Sequence, residues 1–175
     1  RIKLPFGKLS SEQLHRIADV SDEYSTGRLH ITTRQDIQIH YVSLDRTPEL
    51  WAELEKSDIT LREACGNAVR NITASETAGI DPDEPFDVSP YADALFKFFL
   101  RNPICQEMGR KFKVSFSSSD EDTGLSYIHD LGFIAKIENN IRGFKVMLGG
   151  GLGSQPRHAD ELYSFLPTDQ IIPLM

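Results

Sequence analysis

Apolar and polar positions divide the chain into two patterned stretches. In the first, Leu14, Ile17 and Ala18 recur at helical spacing behind Ser10 and Gln13. Ser-x-x-Gln is a capping-box signature, so an amphipathic helix is predicted from Ser11 to about Val20. Arg1 to Leu4, ahead of it, reads as a short strand ended by Pro5 and Gly7, and Ser25 to Gly27 reads as a turn. Leu29 and Ile31 open an extended stretch, and Ile37, Ile39 and Tyr41 alternate with Gln38 and His40 as in a strand. Thr47-Pro48 opens a second helix through Leu50, Trp51 and Leu54. The order β-α-β-β-α is most of a ferredoxin-like half-unit, ending near Ser57.

A second unit begins near Thr60. Ala68 to Thr73 is apolar enough for a buried strand, and Pro82 to Pro90 is a proline-rich loop. Ser89-Pro90 opens a helix whose apolar face is predicted as Tyr91, Leu95, Phe98 and Phe99. From Lys111 to Ser117 the chain alternates, with Phe112, Val114 and Phe116 on one side and Lys111, Lys113 and Ser115 on the other. Leu131 to Ile137, the turn Asn139-Asn140, and Phe144 to Leu148 form a hairpin. A glycine-rich stretch, Gly149 to Gly153, follows it. The fold class is α+β.

Composition narrows the function. With 175 residues, 39% hydrophobic and 26% charged, the chain is globular and can bury a core. No apolar run approaches the ~20 residues that span a bilayer, so no membrane association is expected. No charged-then-apolar leader is visible, and a cytoplasmic protein is expected. A net charge of −7 with acidic runs at Asp81–Glu84 and Asp120–Asp122 argues against nucleic acid as a partner. It leaves room for a local basic pocket that takes a small anion. Cys65 and Cys105 are too few for a disulfide framework, a zinc site or a 4Fe–4S cluster, and read as buried or semi-buried thiols.

Taken singly, the candidate chemistry is ambiguous. Lys111 and Lys113 on one strand face repel each other unless an anion lies between them, but a lysine pair also protects an edge strand. Arg34 precedes an alternating strand and offers a planar fork to carboxylates, or is a surface residue. Arg70 lies within Ala68-Val69-Arg70-Asn71-Ile72, where a charge must be paired or reach a pocket. The glycine stretch matches no nucleotide fingerprint and is either a tight loop or a cradle for a flat ligand. None of the five histidines has metal-ligand spacing, and His15 and His158 read as surface residues.

Taken together, these segments resemble the siroheme/4Fe–4S nitrite and sulfite reductase family, amino-terminal half. The resemblance is carried by Arg1–Pro5, Leu29–Gln38, Gly66–Ile72, Gly109–Lys113 and Gly143–Gly153. It implies a ferredoxin-like half-domain over residues 1–58. A mixed α/β siroheme-binding domain with an antiparallel sheet, in its first copy, is implied over residues 59–175. By position, Arg1, Arg70, Lys111 and Lys113 match the family's substrate-binding cations. His30, Thr32, Arg34, Gln38, Asn71, Arg110, Gly150 and Gly151 match positions expected to hold siroheme, whose rim carries many carboxylates. Cations around a small oxyanion stabilise it where water is excluded, and a lysine among them can supply a proton.

The family's sulfite-reducing members tend to carry lysine where Lys113 stands, and nitrite-reducing members asparagine. The resemblance therefore favours reduction of sulfite to sulfide by six electrons, with nitrite to ammonia as the alternative. The family's cluster cysteines are absent, and neither Cys65 nor Cys105 matches them. The 4Fe–4S ligands are thus expected in the carboxy-terminal half of the same polypeptide, and this chain alone is expected to be inactive. Electrons would come from a ferredoxin or a flavoprotein. The competing reading is a noncatalytic duplicate half with a structural role, against which the retained basic set argues.

Overall fold

The computed structural model describes residues 1–109 and 111–175. Two large hydrophobic cores organise the described residues, with a small third cluster of Ile134, Met147 and Ala159. The first is built by α1 (Ser11–Tyr24), β1 (Leu29–Ile31), β2 (Ile37–Ile39) and α2 (Thr47–Glu55). The Ser10–Gln13 capping box is closed in both directions at 3.1 Å, and α1 runs four residues beyond Val20. β1 and β2 pair antiparallel with His30 opposite Gln38, and Ile2 bridges Ile37 in place of a full amino-terminal strand. Ile2, Leu4, Ile17, Val20, Leu50 and Leu54 fill the core. β2 stops at Ile39 because Tyr41 takes a left-handed backbone (φ 60°), which turns its ring into solvent.

The second core lies under a five-stranded sheet ordered β3 (Thr73–Ala74), β4 (Val114–Ser117), β5 (Leu131–Glu138), β6 (Ile141–Leu148) and β7 (Asp160–Pro167). β3, β4 and β5 run parallel, while β5, β6 and β7 run antiparallel. Asn139 and Asn140 both have positive φ, as a two-residue hairpin turn requires. Phe116, Phe133 and Phe144 are fully buried; Phe116 stacks on Phe133 at 4.8 Å between centroids, and Phe144 meets both rings edge-on at 5.5 and 5.7 Å. Each such ring contributes about 2–3 kcal/mol of burial.

α3 (Ser89–Phe99) packs Ala92, Leu95, Phe96 and Phe99 inward, not Phe98, which is 39% exposed. The inward set follows the i, i+3, i+4, i+7 rows, and Phe98 falls off them. α4 (Ile171–Leu174) closes the chain. The apolar run from Ala68 is buried but is a strand only at Thr73–Ala74, since an irregular extended segment precedes it.

The lysine strand is also shorter than predicted. β4 begins at Val114, opposite Leu131, and all four of its residues are buried because it lies inside the sheet. Lys111 has φ 61° and is exposed, so Lys111 and Lys113 do not share a strand face. β7 carried no alternating signal because as an edge strand it buries little.

Candidate functional site

The β1–β2 loop is built to dock against the second unit. The Thr32 hydroxyl accepts from the backbone N–H groups of Arg34 (3.2 Å) and Asp36 (3.3 Å), curling the loop on itself. The Gln35 carboxamide then grips Ala74 of β3 twice, donating to its carbonyl at 2.7 Å and accepting from its N–H at 3.1 Å. This drives Arg34 between the segments leading into β3 and β4. Its Nη2 donates to the Asn71 and Val114 carbonyls. Asn71 returns the contact by donating to the carbonyls of Leu4 (2.5 Å) and Arg34 (3.0 Å).

Around this junction the chain gathers cations from distant segments. Arg1 lies 3.8 Å from the buried carboxylate of Asp36. With the Gln38 carboxamide turned so that its oxygen meets Arg1, the orientation that satisfies both its ends, Arg1 Nε donates to that oxygen at 2.7 Å and the Gln38 nitrogen faces His30 Nδ1 at 3.1 Å. His30 and His40 stack beside it, with rings 5.5 Å apart. Arg70 donates to the Ala64 carbonyl at 3.1 Å, and its own N–H pairs with the Phe112 carbonyl at 2.9 Å. Lys113 pairs with Asp130 at 2.8 Å. Lys111 is exposed. Arg110 lies outside the described residues.

Burial shapes the electrostatics. It lowers the Arg34 guanidinium to a pKa of about 10, against the pull of Asp36 and Asp130. It pushes the Asp36 carboxyl upward, a shift that Arg1 and the Leu4 N–H oppose. It drives His129 down to about 4, helped by the nearby Arg34 and Lys113 charges. The His129 ring is held through Nδ1 on the Leu125 carbonyl at 2.7 Å. Lys3 is buried too and its pKa is lowered by desolvation; it donates to the Val69 carbonyl at 3.0 Å and faces Glu63 at 3.6 Å.

The glycine stretch has two characters. Gly150 is buried, and a Cβ there would press on the Tyr127 and His129 carbonyls, so the protein itself uses its smallness. Gly149, Gly151 and Gly153 face open space. Cys105 is buried as expected, but Cys65 is exposed, since it lies in the irregular segment before the buried run. A cavity of about 900 Å³ lined by Leu4, Phe6, Trp51, Ile59, Phe96 and Leu100 takes in none of the predicted site residues.

Asp36, His129, Asp130 and Lys3 were not anticipated as part of this junction. Asp36 lies within the resembling segment Leu29–Gln38. Lys3 and Glu63 meet across 60 residues of chain, and no local pattern announces that.

The profile of the "Nitrite/Sulfite reductase ferredoxin-like half domain" matches residues 1–57. That of the "Nitrite and sulphite reductase 4Fe-4S domain" matches residues 65–175. The chain belongs to the nitrite and sulfite reductase family. It is 35% identical, over 94% of its length, to the assimilatory ferredoxin-dependent nitrite reductase of Haloferax mediterranei. It is 27% identical, over 98% of its length, to sulfite reductase [ferredoxin] 1 of Mycolicibacterium paratuberculosis. The solved structure of the Mycobacterium tuberculosis NirA protein superposes with a TM-score of 0.89 at 26% identity, covering 97% of this chain and 31% of that one. The chain spans about 30% of the length of these relatives.

Siroheme and a 4Fe–4S cluster are the cofactors of the nitrite and sulfite reductase family. The residues at the junction suit the first. Arg34 Nε and Nη1 are buried donors with no protein partner, as is Arg70 Nε, and such donors suit carboxylate oxygens. The open glycine backbone would let a flat ring approach closely. The cluster does not fit this chain alone: it has two cysteines, and among the described residues no group of three or more His, Cys, Asp or Glu could hold a metal.

Proposed function

We propose that this chain is the amino-terminal part of a reductase that converts sulfite to sulfide with six electrons, at a siroheme coupled to a 4Fe–4S cluster. The observation that carries the reading is that Arg1, Arg70 and the Lys113–Asp130 pair, from three other segments, lie around Arg34 at the junction with Asp36 and Asn71. Asp36 and Asp130 offset two of these charges, while Arg34 and Arg70 keep buried N–H donors without a protein partner, which an anion would satisfy. The units are residues 1–58, which supply Arg1 and Arg34, and residues 59–175, which supply Arg70, Lys111 and Lys113.

When bound, siroheme supplies the iron at which the anion is reduced. The chain's own residues hold and orient. Arg34, with the His30–Gln38 pair, Thr32, Asn71, Arg110 and the backbone of Gly150 and Gly151, would grip the macrocycle and its carboxylates. Arg1, Arg70, Lys111 and Lys113 would surround the substrate oxyanion. Each oxygen leaves as water and takes two protons, so an ammonium beside it at Lys113 Nζ is a fitting proton source. The remainder of the polypeptide would bring the cluster thiolates, and a ferredoxin or flavoprotein the electrons. Alone, the chain would not turn over.

Nitrite is the second reading. The Haloferax nitrite reductase is more similar in sequence than the mycobacterial sulfite reductase, and Asp130 offsets the charge of Lys113. Steady-state assays of the full-length holoenzyme with each anion decide between them. Lys113→Asn is expected to depress sulfite turnover more than nitrite turnover, and an unchanged sulfite rate refutes the assignment. Arg34→Ala is expected to lower siroheme occupancy, read from visible absorbance; full occupancy refutes its role.

A further inference from the structure

One carboxylate oxygen of Asp130 accepts both the backbone N–H of Lys113 (3.0 Å) and its Nζ (2.8 Å). The Lys113 carbonyl in turn accepts from Leu131 N–H at 3.2 Å, and the Asp130 carbonyl accepts from Gly149 N–H at 2.9 Å. Lys113 directly precedes β4, and Asp130 directly precedes β5, the neighbouring parallel strand. One residue on, the Val114 carbonyl accepts from Arg34. Asp130 therefore ties the lysine to the glycine stretch, and the arginine-bearing loop docks one residue away, at Val114.

The ion pair itself adds little stability. Both side chains are about one-third exposed (32% and 35%), and exposed ion pairs contribute little. A free lysine side chain has four rotatable bonds and much entropy to lose on binding an anion. Holding its main chain and its ammonium on the same oxygen removes that freedom beforehand. Arg34 and the neutral, buried His129 flank the pair, and among the described residues Asp130 is the acid in contact with Lys113.

We propose that Asp130 is a positioning residue for the anion site, acting through Lys113 by fixing where its ammonium stands. The inference rests on the proposed reductase function. Substrate need not touch Asp130. Its carboxylate aligns the cation, and its charge offsets the nearby positive charge of Arg34.

The test has two arms, both in the full-length holoenzyme. In the first, lysines are labelled with acetic anhydride and read by mass spectrometry, with Lys111 as internal reference. Asp130→Asn should raise Lys113 labelling several-fold relative to Lys111; an unchanged ratio overturns the clamp, whichever anion the enzyme reduces. In the second, Asp130→Asn is expected to lower kcat/KM for sulfite about tenfold in the wild-type background and to add nothing in a Lys113→Met background. Equal losses in both backgrounds would show that Asp130 acts structurally and overturn the proposal. A wild-type enzyme that reduces neither anion would instead sink the functional reading, while the labelling arm still decides the clamp.

Discussion

His129 makes the stability of this chain depend on pH in a calculable way. The residue is 8% exposed, its ring anchored on the Leu125 carbonyl and flanked by Arg34, Lys113 and Asp130. Burial, then the Arg34 charge, hold its pKa at about 4 against 6.5 for a free ring. Below pH 6.5 the unfolded chain takes up a proton that the native state refuses. Stability is therefore complete above pH 6.5 and erodes as pH falls toward 4. The gap corresponds to about 3 kcal/mol below pH 4, and to about 2 kcal/mol at pH 5. His129→Gln removes the titration and keeps a donor for Leu125. Urea denaturation followed by circular dichroism at pH 7.5, 6.0 and 5.0 measures both proteins. The other titrating groups, Asp36 and Lys3 among them, are common to the two and cancel in the difference. The variant should gain about 2 kcal/mol on wild type between pH 7.5 and pH 5.0. Parallel curves would falsify the assignment of a buried, neutral ring.

Three further outcomes are expected. Lys3→Met strands Glu63 and the Val69 carbonyl, and should cost about 3–5 kcal/mol in urea denaturation, with part recovered in the Lys3→Met/Glu63→Gln double variant. Gly150→Ala sets a Cβ against the Tyr127 and His129 carbonyls and should cost about 1–3 kcal/mol, whereas Gly153→Ala, which faces open space, should stay within about 0.5 kcal/mol by the same measurement. Gln35→Ala releases both hydrogen bonds to Ala74 and should destabilise by about 1–3 kcal/mol, with faster amide exchange at Ala74 than in wild type.

Much of the local structure was legible because its causes are local. The Ser10–Gln13 cap, the Asn139-Asn140 turn and the alternation of Ile37 and Ile39 each lie within a few residues of the structure they dictate. The cations of the candidate site were legible through resemblance, since residue type and order survive when spacing alone is ambiguous. Their geometry was not. Lys111 and Lys113 alternate in sequence, yet the ladder begins at Val114, because parallel pairing with β5 starts there and Lys111 turns left-handed. Phe98 looks as apolar as Phe99, but the rows of α3 decide which one faces the sheet.

By itself, then, the sequence determined the α+β class, the half-unit and hairpin, the family, and which side chains carry positive charge. The tertiary structure alone decided how those charges are held. Asp36 meets Arg1, Asp130 meets Lys113, and Glu63 meets Lys3 across 35, 17 and 60 positions. Gln35 docks one unit on the other through Ala74. Such pairings depend on how separate elements pack, and burial sets what they are worth, so no window of neighbouring residues contains them.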